Sequence, residues 1–197
     1  MERWRDSHWA NRMTIRLDFN NMMSDFVGEN RGISQREIDE LIPRALEIAD
    51  NIEAKRKAGE LGFYQLPYDL EAAGMVLQMA GFLRGKCDNF VVLGIGGSAL
   101  GGIALFRSLC HPLHNLLPKS DRGETPRVFF LDNIDPRTFK SILDFIGVER
   151  TVFNVISKSG TTAETLSQFL IIYQILTERI GKESVKEHLV VTTGSKQ

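Results

Sequence analysis

The spacing of apolar residues changes rhythm near residue 88. Before it the period is helical. Ile38, Leu41, Ile42, Ala45, Leu46, Ala49 and Ile52 recur at intervals of three and four, which places them on one face of a helix. Ser34 and Glu37 in "SQRE" form a capping box at its start: the hydroxyl takes the amide of the third residue and the carboxylate takes the amide of the cap. Pro43 falls inside the run and either kinks the helix or marks its first turns. Gly59 and Gly62 stop it. A second helix is expected in "LPYDLEAAGMVLQMAGFLRG", from near Asp69 to Gly85.

From residue 89 the runs become short and continuously apolar: "NFVVLGI", "RVFFLD", "TVFNVIS" and "HLVVTT". Between them lie helix-length segments at about 98–109, 136–146 and 162–180. Apolar strands alternating with helices predict a parallel sheet covered on both faces. With right-handed crossovers this is an α/β fold, a doubly wound parallel sheet preceded by a helical N-terminal segment. Such a sheet usually has five or more strands and four are counted, the last followed only by "GSKQ", so the sheet reads as cut short. The expected boundaries are 1–12 for an upstream extension or tag, 13–86 for the helical segment and 87–197 for the α/β domain. Residues 1–12 read equally as a real N-terminal arm.

Composition narrows the function classes without naming one. A formal net charge of -1 gives no bulk attraction to nucleic acid or to acidic membranes. No apolar stretch approaches the roughly 20 residues that span a bilayer, and "MERWRDSHWANRM" has no apolar core of a secretory signal. Cys87 and Cys110 fit no metal spacing and suit a reducing cytoplasm as free thiols.

In open parallel sheets, ligands bind at the carboxyl ends of strands where the connections change direction. That directs attention to the loops after the first and third strands. The first is "GIGGSALGG", residues 94–102. Gly94, Gly96 and Gly97 let a ligand approach bare backbone, and Ser98 stands where a helix starts, a place whose free amides and dipole suit an anion. Gly94, Gly96 and Ala99 also fit a weak dinucleotide fingerprint, with Asp132 as its only candidate acid. A tight turn with no ligand is the remaining reading. The second loop is "ISKSGTTAET". Thr161 and Glu164 match a capping box, which needs one hydroxyl. Ser157, Ser159 and Thr162 are left over, Gly160 frees backbone amides, and Lys158 adds charge or is simply solvated. Converging short donors of this kind suit a phosphate. His111 and His114 sit at a helix end away from the strand tips and read as surface or second-layer residues, with Pro112 spoiling a helical metal pair.

The two loops at this spacing resemble the sugar isomerase (SIS) domain family, a flavodoxin-like fold, and within it the bacterial-type glucose-6-phosphate isomerases. The leading "TIRLDFNNM" and the helical segment fit as well. The resemblance implies that Ser157, Ser159, Thr161 and Thr162 contact a sugar phosphate with Lys158 adjacent. Gly97 and Ser98 would line the pocket near the sugar. Ser159 stands where family members often carry Thr, which keeps the hydroxyl. The implied substrate is a phosphorylated hexose, interconverted between glucose 6-phosphate and fructose 6-phosphate by a homodimer without metal or cofactor. The family's GGR arginine, glutamate base, ring-opening histidine and late lysine have no counterpart here and are expected beyond Gln197. A non-catalytic SIS module that binds or senses phosphosugars remains the alternative, and a nucleotide-binding oxidoreductase domain a third.

Overall fold

The computed structural model describes residues 17–194. The expected extension at 1–12, the start of "TIRLDFNNM" and residues 195–197 lie outside the described residues. The chain divides into two compact units, Met1–Asp69 and Leu70–Gln197.

In the first unit, helices α1 (Ser24–Val27) and α2 (Gln35–Lys57) are the α-helical elements among the described residues. The capping box of α2 forms: Ser34 N donates to Glu37 Oε2 at 2.8 Å and Glu37 N to Ser34 Oγ at 3.3 Å. Pro43 sits in the interior of the helix and does not end it. The end is a Schellman turn. Gly59 takes a φ of +76°, Gly59 N donates to Arg56 O and Glu60 N to Lys55 O, and the last carbonyls are thereby satisfied. The apolar stripe is exposed, Leu41 at 59% and Leu46 at 61%.

The second unit starts with α3 (Leu70–Arg84) and continues β1 (Asn89–Leu93), α4 (Gly97–Leu109), β2 (Arg127–Leu131), α5 (Pro136–Phe145), β3 (Thr151–Ile156), α6 (Ala163–Ile180) and β4 (Leu189–Thr192). All strand pairs are parallel and the order is β2-β1-β3-β4, the flavodoxin arrangement. Alternation along the strands gives two apolar faces. On one, Val91, Leu93, Leu131, Phe153 and Val155 pack with Ile142 and Leu143 of α5 and Ile172 and Leu176 of α6. On the other, Phe90, Val152 and Val190 pack with Leu83 and Cys87, and α4 meets β2 through Phe106 and Phe130 at 6.0 Å. Each fully buried Leu, Ile or Phe stabilises the fold by about 1.5–3 kcal/mol. The leftward step from β1 to β2 runs over one face and the rightward steps to β3 and β4 over the other. Reversing both direction and face keeps one hand of crossover.

The amino ends of the strands are stitched by polar groups. Asn89 donates Nδ2 to Thr151 Oγ1 at 3.2 Å across the paired first residues of β1 and β3. Arg150 pairs with Asp88, and Lys119 approaches the same carboxylate at 3.6 Å. The guanidinium of Arg150 holds the Asp88 carboxyl below its ordinary range. His114 lies at this end too. It is buried, its Nε2 is 3.2 Å from Pro126 O, and its ring stands edge-on to Phe106. It is a packing residue far from the strand tips; His111 is exposed.

Candidate functional site

The chain leaves β1 for β2 on one side and later enters β3 on the other side of β1, so the switch point lies between β1 and β3. In the register, Leu93 stands beside Val155. Two residues on, Ile95 and Ser157 leave adjacent strands about 4.8 Å apart at the same end of the sheet. The glycine loop and the hydroxyl loop are therefore neighbours, and the clamp at Asn89 and Thr151 fixes their phase. A dinucleotide-type sheet of order 3-2-1-4 would set the second and fourth strands, not the third, beside β1; the observed order withdraws support from the oxidoreductase reading.

Gly94 is there for close approach. A Cβ on it would come within 3.0 Å of both Cβ and the carbonyl oxygen of Ser98. Gly96 takes φ +56° as the N-cap of α4, and no side chain caps that helix. Gly97 is exposed and Ser98 half-buried in the first turn. Ser98 N and Ala99 N donate to Ile95 O and Gly96 O, so the start of α4 offers the Gly97 amide and the positive end of the helix dipole to solvent.

The second loop is organised by its own hydroxyls. Ser157 is buried, and its Oγ accepts from Gly160 N at 3.1 Å and shares a 3.3 Å hydrogen bond with Thr162 Oγ1. Gly160 supplies the left-handed residue of the turn, with φ +69°. Ser159 Oγ accepts from Thr161 N at 3.2 Å and from Thr161 Oγ1 at 2.9 Å. The loop's back is also fixed: Ser157 N donates to Thr192 O, and a Cβ at Gly194 would stand 3.3 Å from Lys158 O. Lys158, Ser159, Gly160 and Thr161 face solvent, and Lys158 makes no ion pair among the described residues.

The capping box expected from Thr161 and Glu164 is not formed. Helix α6 starts one residue later, at Ala163, with Thr162 as an N-cap whose side chain makes no capping bond. The left-handed Gly160 turns Thr161 back onto Ser159, out of reach of the helix. The N-terminus of α6 therefore remains without a side-chain cap, like that of α4, and is the more open of the two, because its first backbone bond closes only at Leu166 N to Thr162 O, 2.9 Å. More donors stand free for an anion than the sequence pattern allowed.

Periodicity along the sequence did not single out Thr165 and Gln168. Both are buried on the stripe of α6 that continues with Ile172 and Leu176. Two polar residues on an otherwise apolar stripe, just behind the hydroxyl loop, were the available signal.

Fold and site together define a doubly wound α/β domain with two uncapped helix N-termini at its switch point. Among the described residues no helix is long and apolar enough to cross a membrane. The sequence model of the family described as phosphoglucose isomerase matches residues 76–197, and the chain belongs to that family. A glucose-6-phosphate isomerase from Carboxydothermus hydrogenoformans is 41% identical over 182 residues, covering 92% of this chain and 39% of that protein. One from Rubrobacter xylanophilus is 39% identical over 185 residues, with 91% and 39% covered. The chain thus spans about two fifths of the length of these curated relatives. Among solved structures, a hypothetical protein from Thermus thermophilus superposes with a TM-score of 0.61 at 31% identity, covering 82% of this chain and 36% of the other.

Proposed function

We propose that this chain is the phosphosugar-binding part of an enzyme that interconverts glucose 6-phosphate and fructose 6-phosphate. The observation that carries the reading is the pair of helix N-termini, on α4 and α6, left without side-chain caps at neighbouring strand tips. Phosphate is assigned to Ser159, Thr161 and Thr162 with the first amides of α6, and Lys158 adds a positive charge. Ser157 holds the loop by accepting from Gly160 N, and its single hydroxyl proton is assigned to the phosphate in place of Thr162. Gly97 and Ser98 are assigned to the sugar end. The phosphate serves as a remote handle that positions C1 and C2 for proton transfer. A carboxylate base then moves one proton through an enediol(ate), chemistry that requires no metal or organic cofactor.

The base is not assigned among residues 17–194. Glu164 is half-buried at the second position of α6 and Asp132 is exposed at the tip of β2; neither has a geometry that marks it for proton transfer. The 197-residue chain is therefore expected to bind glucose 6-phosphate without converting it. A coupled assay with fructose 6-phosphate, run beside an NMR titration, checks both halves. Turnover by the chain alone overturns the assignment of the base. Absence of shifts at Gly97, Ser98 and 157–162 overturns the binding reading. The same lack of an assigned base favours, as second reading, a module that binds phosphosugars without converting them; selective binding by the complete protein with no turnover would establish it. The complete enzyme is proposed to act as a homodimer in the cytoplasm, where the free thiols of Cys87 and Cys110 are stable.

A further inference from the structure

Gln168 is a polar side chain on a buried stripe, 3% exposed and followed by Ile172 and Leu176. An amide taken out of water must find partners or cost stability, so its bonds explain its place. Its Nε2 donates to the main-chain oxygen of Asn133 at 2.8 Å. Asn133 belongs to the loop 132–135 that leaves the carboxyl end of β2. The far half of that loop organises itself. Asn133 Oδ1 accepts from Ile134 N at 2.7 Å, and Asp135 caps α5. Thr138 Oγ1 of the following helix donates to Asp135 at 2.6 Å, and Gln168 ties the near half of the loop to α6. Gln168 Oε1 and Thr165 Oγ1, one turn apart on the same helix, are buried without partners among the described residues.

The place of this bond gives it a consequence. Gln168 is in the second turn of α6, and the first turn of α6 is the rim of the hydroxyl loop. A helix is rigid over two turns, so whatever fixes its first turn fixes the donor that holds Asn133. We propose that Gln168 is a positioning residue that yokes the β2 loop to the phosphate-binding helix, so that an anion at the N-terminus of α6 also orders residues 132–135. The inference rests on the phosphosugar reading. It adds a third wall to the switch point, carrying Asp132 and Asn133, whose order depends on a ligand that the wall need not touch.

The test is amide hydrogen exchange of the 197-residue chain with and without saturating glucose 6-phosphate. In the unsubstituted chain the ligand slows exchange at 157–165 and also at 133–135. In Gln168→Leu, which keeps the bulk and removes the amide, slowing persists at 157–165, while at 133–135 about tenfold of protection is lost, the worth of one hydrogen bond. Gln168→Glu keeps the length and replaces the donor by oxygen, and gives the same loss at pH 7. A glutamine with a merely structural role would alter exchange equally with and without ligand. No slowing at 157–165 in the unsubstituted chain overturns the phosphosugar reading and this inference with it. Slowing at 157–165 with 133–135 unchanged overturns the inference alone, and that comparison holds even if a variant fails to fold. Ligand-dependent protection of 133–135 that survives both substitutions overturns it as well.

Discussion

Three helices of the sheet domain follow directly on three parallel strands, yet a side chain closes the N-terminus of one and not of the other two. At α5, Asp135 accepts from Arg137 N at 3.3 Å and from Thr138 N at 3.1 Å. The Thr138 hydroxyl first, and then these amides, hold its carboxyl below the ordinary range, so the helix carries its own anion. At α4 the cap is a glycine, and at α6 it is Thr162, whose hydroxyl turns to Ser157 instead of to the helix. The chain has good capping residues and uses them, at Ser34 as well as Asp135. Caps are missing where the two loops of the switch point meet. Open helix ends support the proposed anion site more sharply than the glycines or hydroxyls do separately.

The comparison breaks most directly if α6 is given the cap that α5 has. Thr162→Asp places a carboxylate where the phosphate is assigned. It is expected to stabilise the helix by about 0.5–1 kcal/mol. It should also weaken glucose 6-phosphate binding by about a hundredfold, through the loss of charge-assisted bonds and the repulsion of like charges. Calorimetric titration and thermal unfolding of the same sample read both signs. A variant that gains stability and keeps its affinity would remove the phosphate from the end of α6.

A smaller effect is expected at the other open end. Gly94→Ala drives a Cβ to 3.0 Å from the Ser98 carbonyl, which is backbone and cannot swing aside. The first turn of α4 must move, at a cost of about 1–3 kcal/mol, and Gly97 and Ser98 move with it. Binding is expected to fall by about tenfold, a loss of roughly 1.4 kcal/mol within that range. Gly102→Ala serves as the control: its Cβ meets a ring atom of Phe130 at 3.0 Å, on the same helix but away from the open end. It should lower stability and leave affinity unchanged, as thermal unfolding beside the same titration would show.

Most of this arrangement was legible in the chain, and what was not has a physical reason. Each of the four strands lies within its expected run, because a strand buried on both faces has little choice but to be continuously apolar. The limits of α4, α5 and α6 fall within one residue of those expected, set by Gly96, Asp135 and Gly181. The cap expected at Thr161 does not form, because residue spacing cannot show that Gly160 is left-handed and sends the chain back onto Ser159. The tie from Gln168 to Asn133 spans 35 positions, and the pair of Arg150 and Asp88 spans 62. Periodicity assigns such residues to a face but cannot name a partner that folding brings from elsewhere.

The smallest expected effect tests whether an open helix end is sufficient. Asp135→Ala uncaps α5 and makes its N-terminus resemble those of α4 and α6, but without a glycine turn or a ring of hydroxyls beside it. Thermal unfolding near pH 7 should fall by only a few degrees, and no phosphate should bind at α5 in a phosphorus NMR titration. The difference between the two proteins has a defined dependence on pH. The folded value of Asp135 is depressed, so its contribution is fully present above the carboxylate's unfolded pKa of about 3.9 and is lost as pH falls through the lower folded value. The melting curves of the two proteins should therefore differ at neutral pH and converge in acid. If Asp135→Ala gains phosphate affinity comparable to that of the α6 loop, the hydroxyls of Ser159, Thr161 and Thr162 lose their assigned role, and the open helix dipole alone would account for the site.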